Sequence, residues 1–142
     1  MIVLVNGSFG IGKTTVARHL VSRTPSSTLF NPEFTGRALQ IPLRIVRPSA
    51  GGALDSQNLR LWRLSTVRIA SCLLRRYDVV YVPMALTDVG YLAEIREGLE
   101  ARGCTVHHFC LVAPLETVLE RIKARGERAG TRAGDWVIRR AP

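Results

Sequence analysis

Gly7-Ser-Phe-Gly10-Ile-Gly12-Lys13-Thr14 fits the pattern G-x-x-x-x-G-K-[ST], and Thr15 adds a second hydroxyl at its end. Glycines at this spacing let the chain curl until successive backbone N–H groups point at one centre, an arrangement that suits phosphate oxygens. A lysine closing the curl would neutralise the outer phosphates of a nucleotide. The Thr14 hydroxyl would ligate the Mg²⁺ that bridges them. The chemistry to expect is nucleotide phosphate binding. Gly7, Ser8, Phe9, Gly10, Ile11, Gly12, Lys13, Thr14 and Thr15 would form the cradle, and Thr14 would be the protein's ligand to Mg²⁺.

Such a loop needs a strand before it and a helix after it, because the helix N-terminus adds partial positive charge beneath the phosphates. Met1-Ile-Val-Leu-Val5 is an apolar, partly β-branched run that reads as a buried strand. Val16, Ala17, Leu20 and Val21 lie at helical spacing between Thr14 and Arg23, and Pro25 stops the helix. A short strand is expected at Thr28–Phe30, and a short helix from Pro32 to about Leu39. Asp55 or Ser56 can cap a helix running to about Arg76, with Leu59, Trp62, Ile69, Cys72 and Leu73 inward and Arg60, Arg63, Arg68 and Arg75 outward. Strands at 78–83 and 104–112 and helices from Asp88 to Arg102 and from Pro114 to about Arg125 complete the alternation. Strands alternating with helices predict an α/β fold, a mostly parallel sheet with helices on both faces.

Composition narrows the classes. The chain has 142 residues, 46% hydrophobic, with a formal charge of +9, and reads as a single domain over 1–142. Its longest uncharged apolar stretch, Val79 to Leu86, has eight residues; a spanning helix needs about 20. Met1 to Val5 has no basic stretch before it and no cleavage site after it, and three cysteines make no disulfide framework, so a cytoplasmic location is expected. Arginines from Arg37 to Arg76 are opposed only by Asp55, which favours an anionic partner. Cys104, His108 and Cys110 would share one face of a strand with His107 on the other, an arrangement that cannot converge on one metal ion. The strand ending at Pro83-Met84 is followed by no acid before Asp88, which argues against a motor ATPase; no guanine-reading Asn-Lys-x-Asp occurs.

The chain resembles the small P-loop kinases that include the tunicamycin-resistance protein family and, more distantly, chloramphenicol phosphotransferase, shikimate kinase and the adenylate kinases. The matching residues are Asn6-Gly-Ser-Phe-Gly-Ile-Gly-Lys-Thr14, Asn31-Pro-Glu33 with Gly36, Val82-Pro-Met84, His107-His-Phe-Cys-Leu-Val-Ala-Pro-Leu-Glu116, and Glu120-Arg-Ile-Lys-Ala-Arg-Gly126 with Trp136. They run in order along nearly the whole chain. The resemblance implies the P-loop NTP hydrolase fold. Family members continue into a further strand and helix after the position of Trp136, so this chain reads as C-terminally shortened.

The resemblance also implies roles. Glu33, the only acid in the first 54 residues, stands where similar kinases place the group that takes the acceptor hydroxyl's proton or orients a Mg²⁺-bound water. Asp88 is the second candidate for that base. Arg121 and Arg125 border a lid, expected at 126–135, that would close over the ATP phosphates; Arg125 joins Lys13 and Glu33 as catalytic, and Arg121 binds nucleotide. Arg37, Arg60 and Arg63 occupy the region that holds the phosphate acceptor in such kinases and could grip an anionic part of it. Trp62 reads as core.

The favoured activity is an ATP-dependent phosphotransferase that passes the γ-phosphate to a small hydroxyl acceptor, a class that includes enzymes of antibiotic-resistance type. Two alternatives stand beside it: a truncated kinase that binds nucleotide without catalysis, and a basic nucleic-acid-binding module. Only 6% of residues are aromatic and no nucleic-acid signature occurs, so a specific nucleic acid is not expected. An uncovered sheet edge would allow a homodimer.

Overall fold

Ile2 and Leu4 point to one side of the central strand and Val3 and Val5 to the other, each 7% exposed or less, so the strand must be covered on both faces. A computed structural model describes residues 1–33 and 60–124 of the chain and shows how that cover is built. Four strands, β1 (Ile2–Gly7), β2 (Ser27–Leu29), β3 (Val79–Pro83) and β4 (Val106–Leu111), form one parallel sheet in the order β2-β3-β1-β4. The described residues also include the helices α1 (Lys13–Arg23), α2 (Arg60–Leu73), α3 (Val89–Glu100) and α4 (Leu115–Ala124).

The period-two pattern of β1 and β3 sorts the core into two layers. Ile2, Leu4, Val80 and Val82 pack against Trp62, Val67 and Ala70 of α2 and Ile95 and Leu99 of α3. Val3, Val5, Val79 and Tyr81 pack against Ala17, Leu20 and Val21 of α1. A third cluster sets Ile11 of the glycine loop on Val118 and Ile122 of α4. Full burial of an aliphatic side chain is worth roughly 1.5–3 kcal/mol, so these layers hold the two central strands between the helices. The α/β architecture with helices on both faces is as expected. Among the described residues no helix is long and apolar enough to cross a membrane.

One expectation needs correcting. The buried stripe of α2 runs through Trp62, Arg63, Thr66, Val67 and Ala70, while Ile69 is 37% exposed and Cys72 is exposed. Arg63 can lie inside because its guanidinium Nε donates to Glu94 Oε2 of α3 and its plane sits 4.1 Å from the Tyr91 ring centre. β4 forms within the expected 104–112, with residues 107–110 exposed and Phe109 keeping 58% of its surface in water. Among the described residues β4 pairs only with β1, which leaves it at the edge of the sheet.

In a parallel sheet every strand ends at the same side, so the connections that follow β1, β2, β3 and β4 share one end of the molecule.

Candidate functional site

The loop between β1 and α1 turns because its glycines take backbone angles that other residues avoid. Gly7 has φ 145°, and a Cβ there would lie 2.8 Å from the Leu111 carbonyl oxygen at the end of β4. Gly12 has φ 106° and caps the N-terminus of α1 without a side chain, leaving the first N–H groups of the helix directed into the loop.

Lys13 follows at once, only 8% exposed. Its Nζ donates to the Gly7 carbonyl at 2.9 Å and the Ser8 carbonyl at 2.8 Å and lies 5.5 Å from the Phe9 ring centre. The loop thus folds its own cation back over its own carbonyls. A phosphate offers the same ammonium a charged acceptor, which makes a stronger bond than a neutral carbonyl. Thr14 is half-buried, Thr15 exposed.

The loop is braced from two sides. Arg121 on α4 donates through Nη1 to the Ile11 carbonyl at 2.8 Å, which brings one of the two expected nucleotide-side arginines to the loop. Asn6, the last residue before Gly7, forms a two-way amide pair with Leu86: Leu86 N–H donates to Asn6 Oδ1 at 2.9 Å, and Asn6 Nδ2 donates to the Leu86 carbonyl at 3.2 Å. That pair fixes the segment after β3 beside the loop. The partners stand 80 positions apart in the chain, so no local sequence signal marks the pair.

Glu33 stands at the same end of the sheet, after β2. Asn31 Oδ1 accepts the Glu33 N–H at 3.0 Å, so Asn31 caps the helical turn that opens at Pro32, and the Glu33 side chain is exposed. Trp62, 2% exposed, donates Nε1–H to the Pro32 carbonyl at 2.8 Å and ties this turn to α2. Asp88, the second candidate base, serves as a helix cap: its Oδ1 accepts from Gly90 N at 2.7 Å and Tyr91 N at 3.2 Å at the start of α3. A helix beginning at Asp88 already carried that signal in the sequence.

Of the arginines expected at the acceptor, two are described, both on α2. Arg63 is engaged with Glu94 and Tyr91, Arg60 is exposed at the start of α2, and Arg37 lies outside the described residues, as do Arg125, the lid at 126–135 and Trp136. Among the described residues no group of three or more His, Cys, Asp or Glu side chains could hold a metal ion.

A glycine loop on a helix N-terminus, its lysine poised at the loop mouth, on a parallel sheet of this strand order, defines a P-loop protein. A family profile described as an AAA domain matches residues 2–140, and the chain belongs to that family. Within it, the chain resembles the tunicamycin resistance protein of Deinococcus radiodurans, at 33% identity over 92% of this chain and 73% of that one, with a TM-score of 0.72. A sugar kinase from Janibacter shares the fold at 20% identity, over 99% of this chain and 77% of that one, with a TM-score of 0.64. Shikimate kinase from Acinetobacter baumannii does so at 20% identity, 97% and 72% coverage and a TM-score of 0.54. No curated protein matches the chain. The fold is that of the P-loop kinases.

Proposed function

We propose that the chain is an ATP-dependent phosphotransferase that uses Mg²⁺ and passes the γ-phosphoryl group of ATP to the hydroxyl of a small molecule. The observation that carries this reading is the Lys13 ammonium, held at the mouth of the loop by the Gly7 and Ser8 carbonyls and set on the N-terminus of α1. The glycine geometry fits a phosphate chain, since the loop's curl directs N–H groups inward and side chains at Gly7 and Gly12 would oppose it.

Backbone N–H groups from Gly7 to Thr15 and the Lys13 ammonium would hold the phosphates, the Thr14 hydroxyl would ligate Mg²⁺, and Arg121 would steady the loop. ATP supplies the phosphoryl group. Glu33 would accept the acceptor's proton as its oxygen bonds to the γ-phosphorus and the bond to the ADP oxygen breaks. Positioning and charge stabilisation carry most of such a reaction, because the phosphoryl group needs no covalent partner on the protein. Arg125, the 126–135 segment, Arg60 and Arg37 are proposed to complete the phosphate and acceptor contacts. The similarity to a tunicamycin resistance protein supports a nucleoside-like antibiotic as the first acceptor to try, and a cytoplasmic location agrees with ATP as donor.

The test is transfer of label from γ-labelled ATP to a panel of hydroxyl compounds, antibiotics first. The wild type should yield a labelled acceptor, Lys13→Ala none, and Glu33→Gln a product formed at least about 100-fold more slowly, the range of a lost general base. Label released at equal rates by all three proteins would refute the reading.

A further inference from the structure

The turns that follow α2 and α3 border a cavity of about 570 Å³. Arg75 shortly precedes β3 and Cys104 shortly precedes β4, so the cavity lies where the strands of this parallel sheet begin, at the end opposite the phosphate loop. Arg68, Ser71, Cys72 and Arg75 line it from α2 and the turn after it, at the i, i+3, i+4 and i+7 positions that share one helical face. Arg102 lines it from the turn after α3. Three guanidinium groups from two separate segments therefore surround one space.

Arginines near helix C-termini often cap the last carbonyls. Here backbone N–H groups fill that role: Arg75 N–H donates to the Cys72 carbonyl at 3.1 Å, Gly103 N–H to the Glu100 carbonyl at 2.9 Å, and Cys104 N–H to the Leu99 carbonyl at 3.2 Å. Glu100, the acid nearest to Arg102 along the chain, is held by Arg96 at 2.8 Å. Among the described residues no hydrogen bond or ion pair engages the side chain of Arg68, Arg75 or Arg102. The two helix ends supply about half a negative charge each, which leaves about two of the three positive charges unmatched.

We infer that this cavity binds a small polyanion, a phosphate- or carboxylate-bearing molecule of two or more negative charges, at a site separate from the nucleotide loop. A guanidinium group presents paired N–H donors that match either acceptor, so such an anion would replace like-charge repulsion among the arginines with charge-assisted hydrogen bonds. The volume falls in the range of about 300–1,000 Å³ that holds small ligands. All three arginines are exposed, so a bound anion keeps part of its water and avoids the full cost of burying a charge. Such a site does not depend on the phosphotransferase reading, since none of its residues belongs to the phosphate loop.

Cys72 is exposed in the cavity lining and reports on its occupancy. In a Cys104→Ser, Cys110→Ser protein, the rate at which iodoacetamide alkylates Cys72 is measured with sodium tripolyphosphate, with citrate and with a short single-stranded oligonucleotide, each against chloride at equal ionic strength. One or both small anions should slow alkylation saturably, by about fivefold or more once their concentration is several times the dissociation constant. Protection by tripolyphosphate alone assigns a phosphoryl ligand, by citrate alone a carboxylate, and by both a site open to either. Arg68→Ala and Arg102→Ala, both at exposed positions and both checked for folding by circular dichroism, should each raise the half-protecting concentration by about tenfold or more. Lys13→Ala should leave it unchanged. No slowing beyond that of chloride, protection that survives both arginine substitutions, or protection by the oligonucleotide alone would overturn the site. Protection lost in Lys13→Ala would overturn it as well, because the anion would then act from the phosphate loop.

Discussion

Two strand-to-helix turns stand at the same end of the sheet and are held by different means. The Gly7–Gly12 loop is built largely from its own neighbours: glycine angles, the α1 N-terminus, and a lysine that bonds carbonyls five and six residues back. The Asn31–Glu33 turn is capped locally by Asn31 but anchored by Trp62, 30 residues beyond Pro32, through a buried indole N–H. The first turn therefore takes its curl from a contiguous segment, with Arg121 and the Asn6–Leu86 pair as outside braces, whereas the second depends on tertiary packing for its anchor. A change of sequence inside the loop should damage binding first, whereas a change in α2 should damage stability first and reach Glu33 only through the backbone.

The largest effect that can break this contrast is at Trp62. Trp62→Ala should cost roughly 3–5 kcal/mol in urea unfolding, the range for emptying an aromatic core site. Trp62→Phe keeps most of the ring but leaves the Pro32 carbonyl without its donor, for about 1–3 kcal/mol. If the two turns are as distinct as their bonding implies, neither change alters Mg-ATP affinity more than about threefold in variants that remain folded, which is under about 1 kcal/mol.

Gly7→Ala should act the other way round. The added Cβ would meet the Leu111 carbonyl at 2.8 Å, and with φ at 145° the strain is of order 1–3 kcal/mol. Nucleotide binding, read by calorimetry, should fall by about tenfold or more. Arg63→Met comes next. Its partner Glu94 is 39% exposed, so water screens the pair, and a loss of about 1–2 kcal/mol with unchanged nucleotide affinity is expected. The smallest effect is Asp88→Ala, which removes the α3 cap for about 1 kcal/mol. Were Asp88 the catalytic base instead, that variant would lose turnover far beyond its loss of stability.

Local patterns made the sheet, the loop and α1 readable, because period-two burial in β1 and β3 and the glycine spacing are properties of short segments. The facing of α2 was not readable. Arg63 looked like a solvent residue by type, and what admits it to the interior is Glu94 and Tyr91 on a helix that periodicity does not connect to it. The Asn6–Leu86 amide pair escaped for the same reason. The exposure of residues 107–110 in β4 was not readable either, since it depends on what packs against the strand and not on its own residue types. The geometry of the candidate site was legible where one loop supplies it, from Gly7 to Lys13, and much less so where residues from separate elements must meet.

The central claim is that Lys13 and its loop bind the phosphates of a nucleotide. Titration of Mg-ATP into the wild type and into Lys13→Ala by calorimetry tests it directly. A saturating one-site isotherm for the wild type, weakened about 10- to 100-fold or more by the substitution, is the predicted result, since a hydrogen bond to a charged group is worth about 1.5–3 kcal/mol. Equal affinities for the two folded proteins, or no heat of binding to either, would contradict it.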